Sequence, residues 1–531
     1  MKSKLVITGL IALMLGVQAY AQGVERIAPP QQQLGTYVID TGLSSDYFFR
    51  SNGPLVVQIP VPPVVNPDEI GPDGYLKNPA KLIANKVIGA TATIEFPAFD
   101  INDKSSPPVS GAAPEKDVVT FNGKTYGSGV LSGFENQWVN QTIQVPIGEL
   151  KFSGGPGGAI SNELHIDIDV ANANFTQNYC AQIPRTNPPV NHCSIGEVWG
   201  MTLDWIGVQF DVAAPYVLAH GINAQASTWD EATAPGVIST LDDIGVAWNR
   251  FSVAPNGSVD QNAVSLANQI NVWLKTMQAD RVHIIAHSKG GLDAQAMAAD
   301  IQANSQSTDP NVPNFKILSL STLSTPHYGS TISDVASLKT YAVDQIQNNS
   351  ADPNGYINKL LNRTEMVDIV GAGPQPPGLW DLKTNATVSA IMEMKRGNIS
   401  PIFSIGASAD LDGNHKMNGS EADKILSISG RAAALVLDPS YQVNLNYLGT
   451  SLVKFIPTVV ATPSPFIFAS GIALVFSTTS ATTPQENDIF VTETSANPSW
   501  ATPLGNVMAN HSTIKTGNNV RKLIEQTISL R

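Results

Sequence analysis

Arg281-Val282-His283-Ile284-Ile285-Ala286-His287-Ser288-Lys289-Gly290-Gly291 reads as an apolar strand running straight into a serine boxed by small residues. Leu292-Asp293-Ala294-Gln295-Ala296-Met297-Ala298-Ala299 follows at once and is helix-capable. Strand, serine and helix in this order form the layout of a nucleophile elbow, with Ala286 in the first small position of G-x-S-x-G. The turn must be sharp so that the hydroxyl points away from the backbone. Small residues two before and two after the serine clear the adjoining strand and helix. A buried strand ending in a polar turn before an ordinary helix gives the same local pattern, so the rest of the chain has to decide.

Outward from the elbow, strands alternate with helices. Tyr216-Val217-Leu218-Ala219 is a short apolar strand that runs into His220-Gly221-Ile222-Asn223. Gly245-Val246-Ala247-Trp248 is expected as the next strand. Ser258 and Gln261 form a capping box opening a helix whose buried stripe is Leu266, Ile270, Leu274 and Met277. Phe315-Lys316-Ile317-Leu318-Ser319-Leu320 is a strand beyond the elbow helix. Such alternation predicts a mostly parallel sheet covered on both faces, with functional groups at the carboxyl ends of its strands.

Four motifs fall at those ends. They are His220-Gly221, Ala286-His287-Ser288-Lys289-Gly290-Gly291, Ser324-Thr325-Pro326-His327-Tyr328-Gly329-Ser330, and the late pair Glu486-Asn487-Asp488-Ile489-Phe490-Val491 and Asn510-His511-Ser512. Leu379-Trp380-Asp381-Leu382-Lys383-Thr384 is a fifth recognisable segment. Together they resemble the secreted lipases and carboxylesterases of bacteria in the α/β-hydrolase superfamily, over residues 214–531 and no further. That resemblance implies Ser288 as nucleophile, Asp488 as the acid member and His511 as the base, in the chain order of the fold. It also implies backbone donors for an oxyanion at Lys289 and Ile222, each worth roughly 3 kcal/mol. The residue types suit the chemistry, because a serine hydroxyl attacks only when an imidazole takes its proton and a carboxylate holds that imidazole.

Rivals exist for two of these roles. His165, His192, His220, His283, His287, His327 and His415 are the other histidines. Of these, His220, His287 and His327 sit in motif positions that favour packing and hydrogen bonding. Ile402-Phe403-Ser404-Ile405-Gly406 reads as a strand, and Asp410 or Asp412 just beyond it is an alternative acid. Asp410, Asp412, Asn414 and Glu421 also fall at positions 1, 3, 5 and 12 of an EF-hand-like calcium loop, although His415 stands where its glycine should be. A polar turn is the competing reading. Residues 331 to about 395 are placed where a lid would cover the serine, or else form a packed helical excursion. A second insertion, about 425–485, contains the apolar run Phe466–Phe476, too short to span a membrane and read as a buried strand.

Residues 22–213 lack a helical period and offer short runs between Pro, Gly and Asn, which predicts an all-β sandwich domain. In Leu164-His165-Ile166-Asp167-Ile168-Asp169-Val170 the apolar residues alternate with His165, Asp167 and Asp169, expected on a solvated face. Asp167 and Asp169 as calcium ligands is the sharper alternative. The module resembles jelly-roll, carbohydrate-binding folds only loosely, and a docking role competes with glycan binding. Cys180 and Cys193 are expected to form a disulfide closing a short loop, worth roughly 3 kcal/mol.

Residues 1–21 read as a signal peptide: Lys2 and Lys4, an apolar Leu5–Val17, then Ala19-Tyr20-Ala21 as the cleavage site. The mature chain would start at Gln22, be secreted or periplasmic, and carry −15 rather than −13. No cysteine follows the cleavage site, which argues against a lipid anchor. Charged residues are only 14% of the chain, against roughly 25% in ordinary globular proteins, and this suits an exported protein. An acidic chain without basic runs argues against nucleic acid and anionic membrane surfaces, and no transmembrane segment is expected. The expectation is therefore a serine carboxylic-ester hydrolase that needs no cofactor for its chemistry. It would act on a long-chain, short-chain or polymeric ester, with contact at a lipid or polymer interface. An acyltransferase or thioesterase on the same triad, and a non-catalytic secreted binding protein, are the alternatives.

Overall fold

The computed structural model describes residues 33–43, 46–153, 158–183, 190–309, 311–330, 377–382, 399–408, 453–459, 472–478, 488 and 490–531. The proposed signal peptide, the calcium-loop residues Asp410, Asp412, Asn414 and Glu421, and most of both insertions lie outside them.

The first part of the chain is built from antiparallel strands. These are β1 (Thr36–Asp40), β2 (Phe48–Phe49), β3 (Leu55–Pro60), β4 (Ile88–Phe99), β5 (Val118–Phe121), β6 (Trp138–Pro146), β7 (Ser161–Asp167), β8 (Asn178–Ile183), β9 (Val190–Ile195), β10 (Gly200–Leu203) and β11 (Trp205–Val212). One sheet runs β1-β11-β4-β10-β2, with β6 also on β4, and a smaller one runs β3-β7-β5. Apolar residues of both, such as Ile94, Phe96 and Val208 on one and Ile59, Phe121 and Leu164 on the other, enter a single core. Cys180 and Cys193 face each other across the β8–β9 pair and are bonded.

The strands β10 and β11 are divided at the buried Asp204. The alternation in residues 164–170 breaks down at its end. β7 stops at Asp167, and Asp169 turns into the left-handed region at φ 47° and is buried rather than solvated. Its backbone N–H donates to Asp117, and its own carboxylate accepts from Asn172.

The second part carries β12 (Tyr216–Ala219), β13 (Trp248–Phe251), β14 (Arg281–His287), β15 (Lys316–Leu323), β16 (Ile402–Ser408), a separate antiparallel pair β17 (Val453–Val459) and β18 (Ile472–Thr478), and β19 (Thr502–Met508). Six of these form one parallel sheet in the order β13-β12-β14-β15-β16-β19. The β13 strand begins at Trp248, three residues later than the apolar pattern of 245–248 predicts, because Val246 pairs instead with Val65 of the first part.

Helices described are α1 (Pro79–Ala84), α2 (Val237–Ile244), α3 (Val259–Thr276), α4 (Lys289–Ala303), α5 (Pro377–Trp380), α6 (Glu493–Ala496) and α7 (Gly517–Thr527). The Ser258–Gln261 capping box opens α3, and its stripe of Leu266, Ile270, Leu274 and Met277 is buried. Alternate strand residues face opposite layers, as the two-residue period requires. Val217, Ala219, Ile284 and Ala286 pack against α3 and α4. Tyr216, Leu218 and Ile285 enter the core that holds α2 and α7.

That second core is continuous with the core of the antiparallel sheets, so the boundary at residue 213 separates two patterns of structure but not two cores. Leu82 of α1 lies in the same cluster as Leu241 and Ile244 of α2. Polar contacts follow the seam: Asn66 donates to Asp242 and to the Gly245 carbonyl, Asn85 to the Ile244 carbonyl, and Leu34 N–H to Asp280.

Asp100, Glu115, Asp117 and Asp169 gather inside the first part, all buried. Burial pushes Asp117 up to about 7 and Asp100 and Asp169 to about 6. It raises Glu115 as well, helped by the neighbouring Asp117. Among the described residues no group of three or more His, Cys, Asp or Glu side chains is arranged to hold a metal ion. These carboxyls bind protons more tightly folded than unfolded. Their stabilising contribution is therefore full below the unfolded carboxyl range and lost as pH rises through about 6 to 7. Wild type should gain thermal stability on Asp117→Asn as pH falls from about 8 to about 5. A difference in Tm that stays constant across that range would contradict the raised Asp117.

Candidate active site

The parallel sheet brings the expected residues to one end. β14 is the central strand, and Ser288 stands between it and α4 with φ 56° and ψ −134°. A serine at positive φ is strained, and neighbours on every side must hold it there. Its N–H donates to the Leu323 carbonyl of β15, and its carbonyl accepts from Gly291 N–H. Gly221 and Gly290 allow the close approach. A Cβ on Gly221 would stand 2.6 Å from Ser288 Cβ, and one on Gly290 would stand 2.5 Å from the His220 carbonyl.

His511 closes on the serine, with Nε2 2.8 Å from Ser288 Oγ. On its other side, His511 Nδ1 is 2.7 Å from Asp488 Oδ2. The carboxylate is itself pinned, since Asp488 Oδ1 accepts from the N–H groups of Phe490 and Val491 at 3.0 and 2.7 Å. Asp488 and Ser288 are buried and His511 is nearly so. The three residues that the resemblance implies thus form one hydrogen-bonded line across sequence separations of 23 and 223. The alternative acids Asp410 and Asp412 lie outside the described residues.

The other motif histidines act as packing and tethering groups. Val253 N–H donates to His220 Nε2 at 3.0 Å, so Nδ1 carries the proton and donates to the Gly221 carbonyl at 2.9 Å. This fixes the turn that presents Ile222. Burial lowers the His220 pKa, and it lowers His287 far more, with help from the Lys515 charge. His287 Nε2 donates to the His511 carbonyl at 2.6 Å, holding the backbone of that loop. His327 lies between Gln295 and Thr322, edge-on to Trp500, and burial brings it down to about 3. His283 bonds Ser319 and stacks on Tyr216. Lys289 is the first residue of α4, and the N–H at that position has no acceptor within its own helix.

Several contributors escape a sequence reading. Lys515 is buried, donates to the Thr228 carbonyl and hydroxyl, and lies over Trp229; burial lowers it to about 8. It ties the His511 loop to the segment after His220-Gly221, and nothing near it in sequence announces that. Ser330 donates to the Phe490 carbonyl, joining the third motif to the Asp488 turn. The Lys289 side chain pairs with Asp293 inside the protein, and their four-residue spacing was a usable signal.

A family model described as "Putative serine esterase (DUF676)" matches residues 217–351, which take in all of β12 but its first residue, β13 to β15 and the elbow. Triacylglycerol lipase 2 of Saccharomyces cerevisiae is 35% identical over 120 residues, 22% of this chain. The matched stretch spans 32% of that relative's length. Among solved structures, the mature form of Bacillus licheniformis lipase BlEst2 covers 60% of this chain and 92% of its own, at 17% identity and a TM-score of 0.35. Lipase 1 from Pelosinus fermentans covers 60% and 99%, at 15% identity and a TM-score of 0.32.

The close approach of Gly221 yields a direct check. Gly221→Ala should displace the Ser288 side chain and slow its reaction with a fluorophosphonate by about 100-fold, with the fold retained. An unchanged labelling rate would contradict the packing at the elbow.

Proposed function

We propose that this chain is a serine carboxylic-ester hydrolase of the lipase/esterase type. The observation that carries the reading is the unbroken line from Ser288 Oγ through His511 to Asp488. The match of residues 217–351 to a serine esterase family supports it.

The geometry suits a two-stage acyl transfer. Ser288 Oγ attacks the ester carbonyl carbon while His511 Nε2 takes the hydroxyl proton, and Asp488 stabilises the imidazolium. The carbonyl oxygen becomes an oxyanion, for which the N–H groups of Lys289 and Ile222 are the proposed donors. Collapse breaks the bond to the alcohol, which leaves with the proton from His511, and an ester to Ser288 remains. Water then attacks that acyl-enzyme, giving its proton to His511, and the acid departs as Ser288 recovers a proton. No cofactor enters either stage.

Secretion, a lid, contact with a lipid or polymer surface, and a long-chain or polyester substrate belong to the proposal as extensions. Residues 1–21 and the insertion at 331–395 motivate the first two. No described helix is long and apolar enough to cross a membrane.

Hydrolysis of p-nitrophenyl esters of graded chain length, with and without a calcium chelator, reports activity, acyl preference and any metal dependence together. Ser288→Ala should lower turnover by at least about 1,000-fold; activity close to wild type would overturn the assignment. Asp488→Asn should be far more damaging than Asp410→Asn, and the reverse ranking would move the acid to the earlier position.

A further inference from the structure

Lys289 follows the nucleophile, yet its side chain is buried. It is 1% exposed, and its ammonium lies 2.7 Å from Asp293 Oδ1, one turn along α4. Asp293 is 2% exposed, and its second oxygen accepts from Asn262 of α3 at 3.1 Å. Gly378 of α5 covers the stem, since a Cβ there would stand 2.9 Å from Lys289 Cε. That covering segment is itself tied to α3, because Asp381 accepts from Val259 N–H at 2.7 Å and Gly378 N–H donates to the Asn256 carbonyl.

Stability alone gives no reason for this pair. Burying two charges costs as much as their attraction returns, and an apolar pair of similar volume commonly does as well. A cation in the first turn also opposes the helix dipole, and lysine preceding the acid is the weaker order for a four-residue pair. What the pair does fix is the path of the Lys289 side chain, whose ammonium is held by Asp293 and whose stem is covered by Gly378, while Asn262 of α3 fixes Asp293. A fixed path restricts the φ and ψ of the same residue, and its N–H is the donor beside Ser288.

Building on the hydrolase reading, we infer that the buried Lys289–Asp293 pair is a positioning device that aims the Lys289 backbone N–H at the developing oxyanion. Lys289 is then a positioning residue through its side chain as well as a donor through its backbone.

The test is Lys289→Met/Asp293→Leu, which removes both charges and keeps the volume, so that no buried charge is left alone. The expected result is a Tm no lower than wild type, kcat reduced by about 10-fold or more, and KM changed by less than about 2-fold. Wild-type kcat in a stably folded double variant would overturn the inference, because a purely structural pair is replaceable. Should the double variant fail to fold, Asn262→Ala loosens Asp293 without stripping the pair. A drop in kcat at constant KM supports the device, and an unchanged kcat rejects it. Wild-type protein is assayed alongside: if it turns over no ester, the hydrolase reading falls and takes this inference with it, whereas an active wild type beside an equally active variant sinks the inference alone.

Discussion

Everything at the site depends on a serine held at φ 56° where a strand hands over to a helix. That conformation is unfavourable for a residue with a side chain, so the surroundings must impose it. β15 supplies an acceptor for the Ser288 N–H, and α4 supplies the turn that follows. The end of β12 comes so near that only glycine is tolerated at 221 and 290. The parallel sheet is what makes the approach possible, because it aligns the carboxyl ends of β12, β14 and β15 at one level.

Around that point the site is assembled from distant loops, each with its own tether. The Asp488 carboxylate is oriented by two backbone N–H groups, and His511 by Asp488 at its ring and His287 at its carbonyl. Lys515 joins the His511 loop to the segment beyond the His-Gly turn. The contacts from His287 to the His511 carbonyl and from the Phe490 and Val491 N–H groups to Asp488 hold this geometry through the backbone. The antiparallel sheets belong to the same construction, since their core runs into the layer of α2 and α7 beneath the parallel sheet.

The parts readable in sequence are those set by local rules. The elbow, the capping box at Ser258 and the strand–helix alternation all depend on residues within a turn or two of each other, and each stands where its pattern placed it. The order of Ser288, Asp488 and His511 needed the family resemblance, because nothing local links residues 223 positions apart. Misreadings arose where tertiary contact overrode the local pattern. Val246 abandons β13 for Val65, and Asp169 leaves the alternation of β7 to bond Asn172. Lys515 and His287 acquire their roles only through burial against elements far away in the chain, which no periodicity encodes.

The central claim is that the chemistry passes through an acyl group on Ser288. Mixing the protein with a p-nitrophenyl ester, quenching in acid within the first turnover and mapping the peptides by mass spectrometry tests it directly. The account predicts the acyl group on the peptide containing Ser288, absent when His511 is replaced by alanine. Turnover with no acylated serine, or with the acyl group on another residue, would contradict it.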